Sequence, residues 1–413
     1  MTPLRVFVVL GAVLLPSCRV SSPSAARPTA PSWIERDALS TEPGARQRSL
    51  LEHVASHRVV YLGEPDHYVQ EKYAMRLFFI RELFARGWRN LAMEMGRADG
   101  AHVDAYLASG DEQELERVGI YSAAGIRTPR SGVLKGLPPA ARSEFLAAER
   151  SFLRALRTLS EARPTGTDRL HWIGIDVDTD PLAVSERMAP AGPELRATLA
   201  RAATANPNEL AESLSALAPR LSPGEVPSRA DLETLADSWR FAAVAFHEPT
   251  LPALLGAYAT REQTMFRQMD AALVDPRPWI LMGHTMHLSK ASGSVRFTRS
   301  GAKGGQSWRT IGTHVAERLP GQVYSVWMLS DHGEHFDVAS CPLGPCPVVT
   351  RPGSVEHELA RFGSQFALPL QHAEPPLTGR VDWRQNGGDG SGVLTEQADL
   401  VWFVRETTTP HAW

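Results

Sequence analysis

Short apolar runs alternate with longer amphipathic stretches along the chain. Six runs are apolar at successive positions, which is typical of strands covered on both faces of a sheet. They are Arg58–Leu62, Asn90–Met93, His171–Ile175, Trp279–Met282, Val323–Met328 and, as a sixth candidate, Leu400–Val404.

The amphipathic stretches predict helices between these strands. The clearest, Pro65–Arg86, repeats apolar residues at helical spacing and stops at Gly87. The others are Ser143–Ala162, Pro193–Ala203, Ala230–Ala245 and Leu251–Leu273. Alternating strands and helices predict an α/β fold with a central, mostly parallel or mixed sheet flanked by helices. Two large helical insertions, near residues 101–163 and 181–275, are expected to cover the site and hold the substrate.

Composition and charge narrow the classes of function. The chain has 413 residues, of which 43% are hydrophobic and 22% charged, as in ordinary globular proteins. The formal net charge is −3, whereas binding to phosphate backbones needs a basic surplus. No nucleic-acid partner is therefore expected.

The N-terminus predicts export. Residues 1–17 carry one charge, Arg5, before an apolar run shorter than the ~20 residues of a membrane span, so they predict a signal peptide. The segment Leu15-Pro16-Ser17-Cys18 resembles a bacterial lipobox, which predicts lipidation at Cys18; an incidental cysteine after a plain signal peptide is the alternative. Residues 18–32, rich in Ser, Pro and Ala, then form a flexible tether.

These features predict a cell-envelope protein facing the periplasm or exterior. Its contact with the membrane would be through the lipid anchor only, and residues 33–413 would form the α/β domain.

The two remaining cysteines lie in Cys341-Pro-Leu-Gly-Pro-Cys346. In an oxidising compartment this spacing favours a small-loop disulfide. Free thiols, or a metal site that adds His332 and His335, are the alternatives.

Ionisable residues follow four of the predicted strands at their carboxyl ends, where open α/β sheets bind ligands. Burying so many charges without a purpose would be costly. We therefore predict one shared pocket lined by Glu64, His67, Glu94, Asp176, His284 and His287.

Two of these strand ends are similar to each other. The segments Val60–His67 and Ile280–His287 both read as three apolar residues, Gly, an acid or base, two further residues and His. The match is short enough to arise by chance, or it marks two similar halves facing a common cleft.

Several motifs resemble those of the erythromycin esterase family. At the start they are Gly63-Glu64-x-x-His67, Glu71, Arg76, and Gly87-Trp88 before Glu94. Later come Arg261-x-x-x-Met265, Gly283-His284-Thr-Met-His287, and Ile311-Gly312 leading to Tyr324-Ser-Val. The resemblance covers about Leu50 to Val326 in the family's order. Pro65-Asp66 and Thr285 depart from the family's pattern, as do the residues after Met265, which implies a shared reaction type rather than a shared substrate.

The resemblance implies a hydrolase of esters or lactones. His67 would be the general base that takes a proton from water, oriented by Glu64 or Glu94. Arg76, His284 and His287 would bind the carbonyl oxygen as negative charge develops. The expected substrate-binding residues are His287, Glu71, Asp176 and Arg261, and the expected partner is a small ester or lactone.

Other functions stay open. The family shares a broader fold with ChaN-type haem-binding lipoproteins, in which His67 or His287 would be an axial ligand. A catalytically degenerate member is a further alternative. The sequence lacks Gly-x-Ser-x-Gly and Gly-x-Gly-x-x-Gly. No cofactor is expected, with a divalent metal ion left open because carboxylate and imidazole side chains meet at the predicted pocket.

Overall fold

A computed structural model describes most of the chain. The described residues are 32–40, 44–118, 139–161, 169–178, 184, 192–201, 205–222, 227–247, 251–299, 307–336, 341, 344–385 and 388–413. The predicted signal peptide, Cys18 and nearly all of the tether lie outside them. No helix among the described residues is long and apolar enough to cross a membrane.

An eight-stranded sheet forms the centre, in the order β3-β2-β4-β1-β6-β11-β8, with β7 paired to β6. The strands are β1 Val59–Glu64, β2 Asn90–Gly96, β3 His171–Asp176, β4 Trp279–His284, β6 Val323–His335, β7 Cys346–Val349, β8 Gln365–Pro369 and β11 Leu400–Thr407. The pairs among β3, β2, β4, β1, β6 and β11 are parallel, and β7 and β8 are antiparallel to their neighbours. This confirms the predicted α/β fold with a mostly parallel, mixed sheet.

Helices fill the connections. Before β2 lie α1 Ser32–Asp37, α2 Ala45–Ala55 and α3 Glu71–Ala85; between β2 and β3 lie α4 Arg97–Ser109, α5 Glu112–Leu115 and α6 Pro139–Glu161. Between β3 and β4 lie α7 Pro193–Leu199, α8 Pro207–Leu217, α9 Arg229–His247 and α10 Leu251–Ala272. After β4 come α11 Ile311–Arg318, α12 Val355–Leu359 and α13 Leu394–Gln397.

The central strands pack into two hydrophobic cores, one on each face of the sheet. In β1, Val60 and Leu62 belong to the core that includes α3, while Val59 and Tyr61 belong to the core that includes α10 and α11. Side chains alternate between faces along a strand, so a continuous apolar run serves both cores.

Helix α3 begins later than predicted. The apolar spacing suggested a helix from Pro65, but α3 starts at Glu71. The backbone N–H of Tyr68 donates to Asp66 Oδ1 at 2.9 Å, which is an Asx turn that competes with helix formation. His67 therefore lies in a turn between β1 and α3.

A second, three-stranded sheet was not predicted. Its order is β5 (Arg296–Arg299), β10 (Gly388–Val393), β9 (Arg380–Gln385). In the eight-stranded sheet, a disulfide joins Cys341 to Cys346, with Cys346 opposite His335 across the β6–β7 ladder. The disulfide leaves neither sulfur as a thiolate for the alternative metal site.

Helix α4 and strand β3 touch through backbone atoms at a pair of glycines. A Cβ on Gly100 would lie 2.0 Å from the backbone nitrogen of Gly174, and a Cβ on Gly174 would lie 2.1 Å from the carbonyl oxygen of Gly96. Both distances are far below van der Waals contact, so only glycine permits this approach.

We predict that Gly100→Ala lowers the free energy of unfolding by about 1–3 kcal/mol, as overpacking does. The matched control is Gly256→Ala, also inside a helix, because a Cβ there would meet no atom within 4 Å. Alanine in an exposed helix interior should leave stability unchanged or raise it by up to about 1 kcal/mol. Urea denaturation of both variants measures the difference; equal stabilities would contradict the close approach.

Candidate active site

The carboxyl end of β1 carries a histidine–carboxylate pair. Glu64, the last residue of β1, is fully buried, and its Oε1 lies 2.6 Å from His67 Nδ1. This contact places a proton on Nδ1 and leaves Nε2 as the basic nitrogen of a neutral ring. Nε2 lies 3.8 Å from Oε1 of Glu94, which belongs to strand β2.

Two buried cations from α3 hold the other oxygen of Glu64. Arg76 Nη2 lies 2.7 Å and Lys72 Nζ 3.8 Å from Glu64 Oε2. Burial alone would raise the pKa of Glu64, but Arg76, Lys72 and His67 outweigh it and lower the pKa to about 2. Glu64 is therefore charged under all ordinary conditions.

Glu94, near the end of β2, connects most of the cluster. Its Oε2 accepts the backbone N–H of His284 at 2.7 Å, and its Oε1 lies 3.1 Å from His287 Nε2 and 2.9 Å from Arg261 Nη2. A Cβ on Gly283 would lie 2.9 Å from Oε2, so the glycine makes room for this carboxylate. Burial opposes its charge, yet His287, His67 and Arg261 hold the pKa of Glu94 well below its usual value.

Asp176, the last residue of β3, fixes Arg261 of α10. Arg261 Nε donates to Asp176 Oδ1 at 2.9 Å, and its Nη2 donates to Asp176 Oδ2 at 2.5 Å. Since Nη2 also donates to Glu94, one guanidinium bridges the ends of β2 and β3.

His287 lies between two carboxylates. Its Nδ1 is 2.5 Å from Glu262 Oε1, and its Nε2 faces Glu94. Burial would lower the pKa of His287, but the charges of Glu262 and Glu94 raise it to about 10. The second oxygen of Glu262 accepts the backbone N–H of Ile311 at the start of α11, at 2.8 Å. His287 is thus a fixed cation at neutral pH.

His284, in contrast to the charged His287, is a neutral histidine. Its Nε2 donates to the carbonyl oxygen of Pro65 at 2.8 Å, and its Nδ1 accepts the N–H of Met286 at 3.1 Å. Burial, together with positive charge at His67, lowers the pKa of His284 to about 4. Its ring centroid lies 5.3 Å from that of His67 and 6.5 Å from that of His287.

The cluster opens to solvent at two side chains. The exposed fraction is 19% for His67 and 14% for Arg261, against at most 4% for the surrounding charged side chains. Those side chains are Glu64, Arg76, Glu94, Asp176, Glu262 and His287. A ligand that reaches the cluster therefore meets His67 and Arg261 first.

The six residues predicted to share a pocket lie together in this cluster, but some expected roles change. Arg76 is fully buried behind Glu64, and both ring nitrogens of His284 bind backbone groups. Neither is placed to receive a substrate carbonyl. Glu71 lies apart from the cluster, where its carboxylate accepts the N–H and hydroxyl of Thr408.

Sequence reasoning missed Lys72 and Glu262, both buried within the cluster. Glu262 follows Arg261 in the segment that carried the family resemblance, which was the available signal. Lys72 also approaches Glu149 at 3.5 Å.

A further buried pair supports the turn that carries His67. Asp66, fully buried, pairs with His335 of β6, and Arg384 of β9 lies 3.6 Å from the same oxygen. Burial opposes the charge, but His335 and Arg384 lower the pKa of Asp66 to about 2. Asp66, a departure from the family's pattern, thereby ties the turn to both sheets.

We predict a pH-dependent stability from His287. Its folded pKa, about 10, lies above its ordinary value of 6.5, so the charged form stabilises the folded state. This contribution is complete below the ordinary pKa and is lost as the pH rises through the folded pKa. Urea denaturation between about pH 6 and pH 10 should show stability falling in the wild type and a flatter curve for His287→Asn.

His284→Asn is the matched control. This histidine is equally buried but neutral in the folded protein, so above about pH 8, where it is neutral in the unfolded chain as well, its loss should lower stability by the same amount at every pH. Parallel curves for the wild type and His287→Asn would show that His287 is not charged.

Comparisons with known proteins agree with this architecture. Residues 245–407 match the family model described as Erythromycin esterase, a segment that includes Arg261, Glu262, His284 and His287. No curated protein sequence matches the chain closely enough to count as a relative.

Solved structures show a shared fold. A protein from Bacillus cereus has a TM-score of 0.64 at 15% identity, over 92% of this chain and 98% of that one. A succinoglycan biosynthesis protein has a TM-score of 0.65 at 15% identity, over 92% and 96%. A mutant of the erythromycin esterase EreC in its open conformation has a TM-score of 0.62 at 16% identity, over 90% and 97%. Residues 245–407 thus match the erythromycin esterase family model, and the chain shares its fold with a solved erythromycin esterase.

Proposed function

We propose that the protein is a hydrolase that cleaves a carboxylic ester or lactone by attack of water, with His67 as general base. The match of residues 245–407 to the erythromycin esterase family model supports hydrolysis as the reaction class. The observation that supports His67 as the general base is its contact with Glu64 at 2.6 Å. His67 is also the partly exposed imidazole of a mostly buried cluster.

The charge balance of the cluster favours a base at this position. Four carboxylates, Glu64, Glu94, Asp176 and Glu262, contact three fixed cations, Arg76, Arg261 and His287. Lys72 and Glu149 form a further, balanced pair. A proton taken up by His67 supplies the fourth cation, so the protein stabilises the imidazolium that forms when water is deprotonated.

In the proposed reaction His67 first accepts a proton from water and later donates it to the leaving group. Nε2 of His67 takes a proton from water as the water oxygen bonds to the carbonyl carbon, while Nδ1–H stays bound to Glu64. The imidazolium then gives its proton to the departing alkoxide as the C–O bond breaks. Arg261, the partly exposed cation, is proposed to stabilise the negative charge on the carbonyl oxygen.

Haem binding receives less support. His284 has both ring nitrogens bound to backbone groups, and His287 is a cation between two carboxylates. An axial ligand needs a neutral imidazole with an accessible lone pair. Of these three histidines only His67 is partly exposed, and it lies beside two carboxylates.

The proposed location rests on sequence alone. A lipid anchor at Cys18 would hold the α/β domain at the cell envelope, where the protein would meet its ester or lactone substrate. No membrane contact beyond that anchor is proposed.

We predict that His67→Asn lowers ester hydrolysis by about two to four powers of ten, because asparagine keeps a polar contact but cannot accept the proton. A screen of esters and lactones against the purified protein supplies the substrate, and kcat/KM is then compared. His102→Asn is the matched control, since His102 forms a similar pair with Glu114 at 2.7 Å and is 22% exposed, outside the cluster.

A fully active His67→Asn protein would refute the base role. A Soret band on haem titration that depends on His67, without hydrolysis of any ester, would instead favour the binding function.

We further propose that hydrolysis needs no metal ion, because each carboxylate of the cluster already contacts a cation of the chain. Within the described residues, no group of three or more His, Cys, Asp or Glu side chains has the arrangement of a metal site. Dialysis against a chelator should leave kcat/KM unchanged. Loss of activity that returns with one added divalent ion would contradict this prediction.

A further inference from the structure

A row of aromatic side chains begins at the open edge of the cluster. The guanidinium carbon of Arg261 lies 5.7 Å from the ring centroid of Phe241, on helix α9. Arg261 is one of the two side chains through which the cluster meets solvent. The surface that continues from this opening is therefore aromatic on the side of α9.

The row runs through three further rings. Phe241 meets Tyr258 of α10 at 5.9 Å between centroids, Tyr258 meets Trp308 at 5.9 Å in a stacked arrangement, and Trp308 meets Phe297 at 4.8 Å. These are ordinary distances for favourable aromatic pairs. We call Phe241, Tyr258 and Trp308 the aromatic wall; Phe297 is the buried ring behind it.

The aromatic wall is more exposed than core rings of this protein. Phe241, Tyr258 and Trp308 are each half-buried, and Phe241 and Tyr258 stand outside the four hydrophobic clusters of the described residues. Core packing therefore does not account for Phe241 and Tyr258, while Trp308 also packs against one of these clusters.

The wall is also fixed to the charged cluster at both ends. Besides the contact of Phe241 with Arg261, the indole N–H of Trp308 donates to Glu262 Oε1 at 3.3 Å, the oxygen that binds His287. The rings are thus held in a defined position relative to the carbonyl-binding side of the cluster.

We propose that the aromatic wall is the substrate-recognition subsite, and that it binds a flat aromatic ring in the acyl or alcohol part of the ester. That the bound molecule is a substrate rests on the proposed function, whereas the binding of a flat ring to the wall does not. A flat ring stacked on the wall would place a carbonyl one or two bonds away near Arg261 and His67.

The choice of an aromatic ring follows from the chemistry of the surface. Stacked π faces favour a planar, polarisable ring over a puckered aliphatic ring of similar size. The guanidinium at one end attracts the negative face of such a ring as well as a carbonyl oxygen.

The test is a binding measurement with two uncleaved probes. N-(2-naphthyl)acetamide offers a flat ring and a carbonyl, and N-cyclohexylacetamide offers a puckered ring and the same carbonyl. Isothermal titration calorimetry on the full chain should show tighter binding of the naphthyl probe. Tyr258→Leu and Phe241→Leu should each weaken that probe by about 2- to 10-fold, as expected for loss of one aromatic pair, and leave the cyclohexyl probe unchanged.

Two controls keep the result specific. Tyr258→Phe retains the ring and should bind the naphthyl probe like the wild type. Phe362→Leu removes a half-buried ring beside the edge strand β8 and should have no effect. If Tyr258→Leu fails to fold, Phe241→Leu carries the test.

Equal binding of the two probes, or equal weakening of both by the leucine variants, would overturn the proposal and make the wall a packing feature. Selective naphthyl binding without hydrolysis of any ester would support the wall and count against the hydrolase. Hydrolysis that needs His67 but shows no selectivity for flat rings would support the hydrolase and refute the wall.

Discussion

A carboxylate that is removed from water needs a cation beside it, and this requirement organises the carboxyl edge of the sheet. Glu64, Glu94 and Asp176 close three parallel strands with their side chains buried. Each contacts a cation that comes from a helix, Arg76 from α3 or Arg261 from α10. The ion pairs therefore also fix where α3 and α10 sit against the strand ends, so that the site and the helical layers depend on the same contacts.

The strands β1 and β4 share one short sequence pattern, but the ionisable residues at their ends have different protonation states. They pair in parallel register from Val59 opposite Trp279 to Glu64 opposite His284. Glu64 meets two cations and is charged, whereas His284 meets backbone groups and is neutral. The similarity noted along the sequence is thus a structural pairing, and the environment of each strand end decides its protonation state.

The sequence predicted the parts that depend on local patterns. Apolar runs ending in ionisable residues gave the central strands and the six residues of the pocket. Strands such as β10, read as Gly-Asp-Gly-Ser-Gly-Val, lack the apolar alternation that would reveal them. Glu262 lies next to Arg261 in a helix, and its position along the sequence does not reveal its contact with His287, which comes from a distant segment. The pairing of Asp66 with His335 joins positions far apart in the chain, which no local pattern can show.

The pairing of buried acids with buried cations has a consequence for how this protein can change over evolutionary time. A substitution that removes Glu262 would take away one of the two carboxylates that neutralise the buried His287 cation. A substitution that removes Asp66 would likewise leave His335 and Arg384 without their shared carboxylate. The acid and the base of each pair are therefore expected to be substituted together. The half-buried rings Phe241 and Tyr258 can be substituted one at a time. Descendants of this chain would then diverge first in what they recognise and last in the arrangement of charges around His67.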